Sequence, residues 1–330
     1  MPGGAAGAGD AATAPVIPVV VVAGFLGAGK TTLVNHILAH AGGRRIAAIV
    51  NDFGAINVDA ALLGADADGV VGLQNGCVCC TLQGDLLRTI GILLRRDPAP
   101  EGIVIETSGI ADPAAIVASL LDPVVYREAP LDAVVGLVDA DDVGANPGRL
   151  EDALYRSQLT AADFVVLNKL DLVVRGALPG LVERLRAAGM RGHVLEAEWG
   201  RFPMELLFTA GLHAASFAPP ARPALSAGRY DTLVWTAPGP LSMAAFQAAM
   251  ERLAPLLVRA KGVLAFADRP TPLLFQLVGR RATISPGPVA AGGLVLIHEI
   301  GRLDHDAARA ALDACVRTPP AGTGVPSAGR

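Results

Sequence analysis

The sequence predicts an α/β protein in which a domain with a mainly parallel sheet and helices on both faces precedes a small α+β domain with an antiparallel sheet. Two patterns predict this class. Apolar β-branched runs alternate with segments of helical spacing through the first part of the chain. Several strand-like runs follow one another in the last part, beside two helical segments. With 52% apolar and 18% charged residues among 330, the chain is expected to be globular with a sizeable core.

The strands of the first domain are predicted from continuous apolar runs, which are typical of strands buried on both faces. These runs cover residues 16–23, 46–51, 69–73, 102–106, 131–139, 163–168 and 193–195. Apolar residues at helical spacing lie between most of the runs and predict helices. The predicted helices cover residues 31–41, 83–95, 114–121, 150–161 and 178–188.

A change in pattern marks the second domain. Residues 213–228 are rich in Pro, Ala and Ser and predict a linker between a domain of residues 16–212 and one of residues 229–317. Residues 1–15 are predicted to be a disordered arm and residues 318–330 a disordered tail. Within the second domain, strands are predicted over 230–237, 263–268, 273–285 and 294–300, with helices over 242–253 and from Asp306 onward.

The net charge argues against nucleic acid and anionic membranes as partners. A net charge of −4 gives no broad basic field, so neither nucleic acid nor an anionic membrane is expected to bind.

The apolar stretch that begins at Val16 contains proline and glycine and is shorter than the roughly 20 residues of a membrane-spanning helix. The first 15 residues lack the basic start and apolar core of a signal peptide, which predicts a cytoplasmic protein.

A phosphate-binding loop is predicted at GFLGAGKT, from Gly24 to Thr31, which matches G-x-x-x-x-G-K-[ST] after a predicted strand and before a predicted helix. Glycines let successive backbone N–H groups turn toward phosphates, and the helix start adds positive potential. Lys30 is expected to reach the β and γ oxygens, and the Thr31 hydroxyl is expected to bind Mg²⁺. The predicted residues are Gly24, Gly27, Ala28, Gly29, Lys30, Thr31 and Thr32.

Guanine selectivity is predicted from NKLD, which ends a later apolar strand. The Asp171 carboxylate can accept hydrogen bonds from both guanine N–H groups, while Asn168 and Lys169 are expected to flank the base. Adenine lacks this donor pattern. The sequence therefore favours GTP over ATP.

Candidate catalytic acids follow two of the predicted strands. Glu106 ends one strand, where it could bind a water of Mg²⁺, orient the attacking water, or cap the next loop. Asp52 and Asp59 follow another strand, where either could meet Mg²⁺ or face solvent. We therefore predict Glu106, Lys30 and Asp52 as the catalytic residues.

The segment GCVCC places Cys77, Cys79 and Cys80 within four positions of one another. Thiolates suit Zn²⁺ or Co²⁺, and three of them leave a fourth tetrahedral position for another ligand. A redox pair of Cys77 with Cys80, or simple burial of small apolar side chains, are the alternatives. We favour a metal site, because thiolate clusters of cytosolic proteins more often bind metal than form disulfides. Cys315 lies far away in sequence and is interpreted as structural.

Several motifs together resemble the CobW-type GTPases, which are relatives of the UreG and HypB nickel-insertion GTPases. The resemblance runs from about Pro18 to about Val316 and is carried by GFLGAGKTTLVNHIL, NDFGAINVDAALL, GCVCCT, ETSGIADPAAI, NKLD, RAKGVLAFAD and FQLVGRR. It implies a P-loop GTPase domain, a CobW-type C-terminal domain, and a GTP-binding metallochaperone with low intrinsic GTPase activity. It also implies that the three clustered cysteines bind the cargo metal, commonly Zn²⁺ or Co²⁺, for delivery to a client metalloprotein or cofactor pathway.

Two departures from the family pattern stand out. Asp52 and Ala55 occupy positions where many members have glutamates, which puts the role of the second carboxylate in doubt. Several members also carry a histidine-rich run near the C-terminus, and this chain has none.

The sequence is also compatible with other functions. A metal-responsive regulatory module could dock its client by edge pairing along residues 273–278, with incidental hydrolysis. An insertion factor like the nitrile hydratase activators and a P-loop small-molecule kinase are further alternatives. The sequence does not decide between a monomer and a homodimer, between zinc and cobalt, or among client metalloenzymes.

Overall fold

A computed structural model of the chain describes residues 16–50, 70–72, 81–197, 199–208, 230–287 and 292–317. The predicted arm, linker and tail lie outside these described residues. Within them, the strands form one seven-stranded sheet and one five-stranded sheet. Both predicted layers, a parallel sheet and a later antiparallel sheet, are confirmed.

The first sheet is parallel in every pairing and has the strand order β3-β2-β4-β1-β5-β6-β7. Its strands are β1 Val19–Gly24, β2 Ile46–Val50, β3 Val70–Gly72, β4 Gly102–Glu106, β5 Leu131–Asp139, β6 Phe164–Asn168 and β7 His193–Glu196. The helices of this region are α1 Lys30–Ala39, α2 Thr81–Leu94, α3 Pro113–Leu120, α4 Pro123–Glu128, α5 Ala140–Ala145, α6 Ala153–Ala161 and α7 Leu178–Ala187.

The valines of β1 divide between the two faces of the sheet. Val20 and Val22 join one core cluster with Leu33 of α1, whereas Val19 and Val21 join another with Leu86 of α2. Side chains alternate along a strand, so four consecutive buried valines require cover on both faces. The continuous apolar run therefore indicated a strand between two helical layers, and that prediction is confirmed.

Most differences between the predicted and the observed helices around this sheet come from aspartates that cap helix starts. The short helices α4 and α5 were not predicted, and Asp122 and Asp139 accept backbone N–H bonds at their starts. The helix predicted over 150–161 is instead a 3₁₀ turn, Pro147–Glu151, followed by α6. Asp152 separates the two because its side chain accepts from the Tyr155 N–H at the start of α6.

The second sheet is antiparallel and has the order β11-β10-β9-β12-β8. Its strands are β8 Tyr230–Thr236, β9 Arg259–Leu264, β10 Leu273–Val278, β11 Arg281–Pro286 and β12 Gly293–Glu299. Two helices accompany it, α8 Met243–Leu253 and α9 His305–Asp313. Their packing against this sheet builds a separate apolar cluster that includes Phe246, Phe275 and Leu312.

Two strand predictions in this domain were wrong. The strand predicted over 263–268 instead runs from Arg259 to Leu264. Arg259 and Lys261 are buried polar residues, so the apolar pattern did not mark the start of the strand. The strand predicted over 273–285 is a hairpin, since Val278 pairs with Arg281 across a two-residue turn. Gly279 adopts φ 58 in that turn, a conformation that glycine favours.

The proposed client-docking edge at residues 273–278 is not an edge. These residues form β10, which is paired with β9 on one side and β11 on the other. Since both rows of backbone groups already belong to ladders, β10 offers no free side for strand addition. The outer strands of this sheet are β11 and β8.

Buried polar contacts join the two sheets. Arg259 of β9 forms an ion pair with Asp132 of β5, and each side chain is 1% exposed. Arg259 also donates to the Leu206 carbonyl at 2.6 Å, and Asp132 accepts from the Phe208 N–H at 2.9 Å. Burial lowers the pKa of the nearby Lys261 to about 8. The two domains thus share a charged and largely desolvated contact.

Candidate functional site

The candidate phosphate loop connects β1 to α1, where the sequence placed it. Gly24, Gly27 and Gly29 have φ values of 144, 76 and 99, which only glycine adopts readily. A Cβ at Gly24 would lie 2.5 Å from the Leu137 carbonyl oxygen. The loop therefore requires glycine both for its backbone conformation and for its close approach to β5.

Lys30 and Thr31 lie at the first turn of α1. The Lys30 ammonium donates to the Phe25 carbonyl oxygen at 3.2 Å, and Lys30 is 8% exposed. The Thr31 hydroxyl donates to Glu106 Oε1 at 2.9 Å. Because β1 and β4 are parallel neighbours with Val22 opposite Glu106, the strand-end acid lies beside the loop. A hydroxyl and a carboxylate in contact supply the oxygen ligands that Mg²⁺ prefers.

Asn168 ties the guanine motif to the phosphate loop. It ends β6 with 3% exposure, and its Nδ2 donates to the Ala28 carbonyl at 3.0 Å. Its Oδ1 accepts from the Gly200 N–H at 3.2 Å. A Cβ at Gly29 would lie 2.4 Å from Asn168 Nδ2, so glycine at that position permits this contact. Asn168 thus holds two backbone segments, whereas the sequence placed it beside the base.

Lys169 and Asp171 follow at the surface. Lys169 adopts φ 60, and its ammonium lies 2.6 Å from Asp139 Oδ2 at the end of β5. Asp171 lies in an exposed 3₁₀ turn, Leu170–Leu172. The positive φ at Lys169 redirects the chain immediately after the strand. The exposed carboxylate of Asp171 is accessible to a ligand from solvent.

Sequence reasoning missed the loop after β7. Ala197 donates its N–H to the Leu167 carbonyl at 2.9 Å, which holds the loop to β6. Trp199 has φ 58 and is 71% exposed beside Gly200, the partner of Asn168. The residues AEWG match no nucleotide-binding motif, so only the fold places Trp199 and Gly200 next to the candidate guanine site.

A second missed group lies against Phe25 in the phosphate loop. The Arg149 guanidinium stacks 4.8 Å from the centre of the Phe25 ring, and Arg149 Nε donates to Asp142 Oδ2 at 2.8 Å. Burial tends to raise the pKa of Asp142, but hydrogen bonds from Arg149 and Asn146 lower it overall. Asp142 is therefore held ionised beside Arg149, and a cation is fixed next to the loop.

Several predicted site residues lie outside the described residues. These are Asp52, Asp59, Ala55 and the three clustered cysteines Cys77, Cys79 and Cys80. The flanking elements are described: the cysteines follow β3 and precede α2. Because all seven strands are parallel, β3 ends at the same edge of the sheet as the phosphate loop. Three strand spacings, about 14 Å, separate β3 from β1.

Together, the phosphate loop, the strand-end acid and the Asn-Lys-x-Asp motif define a nucleotide-binding protein of the P-loop GTPase class. Residues 18–193 match the family model "CobW/HypB/UreG, nucleotide-binding domain". Residues 230–316 match "Cobalamin synthesis protein cobW C-terminal domain". The chain therefore belongs to the CobW family.

Relatives of this chain include two curated bacterial proteins. "Zinc chaperone CobW" of Sinorhizobium sp is 37% identical over 61% of this chain, and the match spans 64% of that relative's length. "Zinc chaperone YjiA" of Escherichia coli (strain K12) is 34% identical over 80% of this chain and 86% of the relative. The zinc-bound crystal structure of YjiA GTPase from E. coli has a TM-score of 0.44 at 26% identity, covering 92% of this chain and 99% of that one.

In the described part of the chain, no helix has both the length and the apolar character needed to cross a bilayer. The expectation of a cytoplasmic protein remains a prediction.

Proposed function

We propose that this protein is a GTP-binding metallochaperone that carries Zn²⁺ on Cys77, Cys79 and Cys80 and delivers it to a client metalloprotein or cofactor pathway. The observation that carries the nucleotide part of the proposal is the hydrogen bond from Thr31 to Glu106, which joins the phosphate loop to the strand-end acid. The zinc chaperone names of two relatives support zinc as the cargo. Co²⁺ is the alternative cargo, since thiolates accept both ions.

The residues around Thr31 fit a magnesium–nucleotide complex. Thr31 and Glu106 would hold Mg²⁺, directly or through its waters, and the ion when bound would neutralise charge on the β and γ phosphates. Lys30 would bind the same phosphate oxygens with its ammonium. The positive-φ glycines would leave the loop backbone free to approach the phosphates.

Hydrolysis in this proposal depends on positioning. Glu106, held by Thr31 at 2.9 Å, orients the attacking water, and Lys30 stabilises charge on the transferred phosphoryl group. Asp52 remains a proposed third participant. A low intrinsic rate is expected, as the resemblance to the CobW-type GTPases implies.

The metal and nucleotide sites are proposed to be coupled. The cysteines belong to the connection between β3 and α2, and β3 ends at the phosphate-loop edge of the sheet. Bound GTP with Mg²⁺ is proposed to order residues 51–80, as γ-phosphates order loops in other nucleotide switches. Any such coupling acts equally in both directions.

Guanine recognition is tested by Asp171→Asn. We expect GTP affinity to fall roughly 10- to 100-fold, because the amide replaces an acceptor for two guanine N–H groups. Affinity for xanthosine triphosphate should rise, since the amide N–H can donate to the extra carbonyl of xanthine. Equilibrium titration with fluorescent nucleotides measures both changes.

Asp268→Asn, at an exposed aspartate of the second domain, is the matched control and should leave both affinities unchanged. An Asp171→Asn variant that keeps its preference for GTP over ATP and xanthosine triphosphate would rule out Asp171 as the guanine reader.

A regulatory module and a metal-delivering chaperone differ in whether GTP hydrolysis is needed. In a metal-responsive regulatory module, client binding would survive loss of Lys30, because hydrolysis is incidental there. In a chaperone, or in an insertion factor like the nitrile hydratase activators, client activation requires GTP turnover. Co-purification of a metalloenzyme, followed by an activation assay with and without GTP, separates the two. A small-molecule kinase would instead consume a phosphoryl acceptor.

A further inference from the structure

The second domain brings a carboxylate and two imidazoles together, away from the nucleotide site. Asp231 on β8 and His298 on β12 are direct partners across the antiparallel pair. His305 begins α9, and its Nε2 lies 2.7 Å from His298 Nε2 and 3.7 Å from Asp231 Oδ2. One ligand atom from each side chain lies within 4.8 Å of the others.

The hydrogen bonds of His298 determine which ring nitrogen carries its proton. His298 Nδ1 lies 2.9 Å from the Glu299 carbonyl oxygen, which can only accept, so Nδ1 is the protonated nitrogen. Neutral His298 therefore presents an unprotonated Nε2 to His305. Histidines that bind metals in proteins are commonly oriented in this way, by donation of the other ring N–H to a carbonyl.

A hydrogen bond also fixes the orientation of the Asp231 carboxylate. Its Oδ1 accepts from the Thr232 N–H at 2.7 Å, and its Oδ2 is the oxygen nearest His305. The side chains of Asp231 and His305 are 55% and 36% exposed, whereas His298 is 2% exposed. The cluster thus has one buried ligand and two ligands that an ion can reach from solvent.

The distances between the ligand atoms of Asp231, His298 and His305 are close to those of a tetrahedral metal site. Bonds of about 2.0–2.1 Å place two ligand atoms of a tetrahedral zinc site about 3.3 Å apart. The contacts of 2.7 Å and 3.7 Å lie on either side of this value, and the third separation, between His298 and Asp231, is within 4.8 Å. An ion would therefore draw the ligand atoms into place by shifts of about 0.5 to 1.5 Å. The partly exposed side chains of His305 and Asp231 can make such shifts by rotation.

We propose that Asp231, His298 and His305 form a second metal site for a borderline divalent ion of the Zn²⁺, Co²⁺ or Ni²⁺ class. Imidazole and carboxylate ligands suit these ions, and three protein ligands leave a fourth position for water or an exchanging ligand. The ion would join β8, β12 and the start of α9. None of the three residues belongs to the nucleotide or cysteine sites, so this site stands or fails independently of the proposed function.

Cobalt titration of the untagged, full-length Cys77→Ser/Cys79→Ser/Cys80→Ser variant without nucleotide tests the proposal. We expect one equivalent of Co²⁺ to bind with visible d–d absorption and without a thiolate-to-cobalt charge-transfer band, and Zn²⁺ to displace it. Adding His305→Ala should weaken Co²⁺ binding at least about 10-fold, and adding Asp231→Asn should weaken it in the same direction. His298 is left unchanged because it is buried.

His40→Ala in the same background is the matched control. His40 is an exposed histidine whose ring lies 4.1 Å from that of His36, so this pair is the rival nitrogen site. The control should bind Co²⁺ as tightly as its parent, and Zn²⁺ should raise the Tm of the control but not that of the His305→Ala variant. The proposal is overturned if the cysteine-free variant binds no Co²⁺, if binding is lost with His40 instead of His305, or if a thiolate band assigns the ion to Cys315.

Discussion

Lys30→Ala should lower the rate of GTP hydrolysis by about 100-fold or more. The ammonium is buried in the phosphate loop, 3.2 Å from the Phe25 carbonyl, at the start of α1. Removing a preorganised positive group where charge develops on the phosphoryl oxygens forfeits stabilisation of the transition state, and comparable deletions cost 10²–10³-fold. Single-turnover phosphate release at saturating GTP measures the change.

Arg269→Ala is the control, since Arg269 is an exposed cation of the second domain. It should hydrolyse GTP at the parental rate. The Tm of the Lys30→Ala variant, measured without nucleotide, separates a catalytic loss from unfolding. A Lys30→Ala variant that is folded and hydrolyses GTP within twofold of the parent would exclude Lys30 from the reaction.

Asp132→Ala should lower the free energy of unfolding by about 3–5 kcal/mol, because it leaves Arg259 without its buried counter-ion. Both partners are 1% exposed, and the Phe208 N–H also loses its acceptor. Denaturant unfolding of the nucleotide-free protein measures the change. The Asp132→Ala/Arg259→Met variant should recover part of the loss, since it removes the unpaired charge.

Glu101→Ala is the matched control for that ion pair. Glu101 lies 3.5 Å from Arg45, with side chains 47% and 54% exposed, so its removal should cost at most about 1 kcal/mol. Equal losses for Asp132→Ala and Glu101→Ala would show that the buried pair does not hold the domains together.

The Asp132 pair also gives the stability a pH dependence. Burial tends to raise the pKa of Asp132, but the Arg259 and Lys261 cations and the hydrogen bonds lower it below 3.8 overall. A lowered folded-state pKa means that this contribution is complete above the ordinary value and is lost as the pH falls through the folded value. The part of this loss that comes from Asp132 should be absent from the Asp132→Ala variant, whose stability should therefore fall less steeply at low pH than that of the parent.

The nucleotide half of the fold was predictable because its signals are local. Four consecutive valines followed by GFLGAGKT predicted β1, the loop and α1 within a few residues, and Glu106 was placed correctly at a strand end. The role of Asn168 was not predictable, since its partners Ala28 and Gly200 are 140 and 32 residues away. Contacts between residues so far apart in sequence are created by the fold and leave no periodic pattern in the sequence.

The second domain was less predictable for a related reason. Arg259 lies in a strand and is 1% exposed, yet its sequence neighbourhood gives no sign of the compensating Asp132, which lies 127 residues earlier. The cluster around His298 was not predictable, because the sequence could not show Asp231 opposite His298 or His305 in contact with it. Strand register, and not residue pattern, assembles that cluster.

The most direct test of a coupled chaperone is the Zn²⁺ affinity measured with a non-hydrolysable GTP analogue, with GDP and without nucleotide. Each titration is repeated on the Cys77→Ser/Cys79→Ser/Cys80→Ser variant, so that the difference isolates the thiolate site. Coupling predicts that the analogue changes Zn²⁺ affinity by about 5-fold or more, and that Zn²⁺ changes affinity for the analogue by the same factor. Equal Zn²⁺ affinities in all three nucleotide states would contradict it.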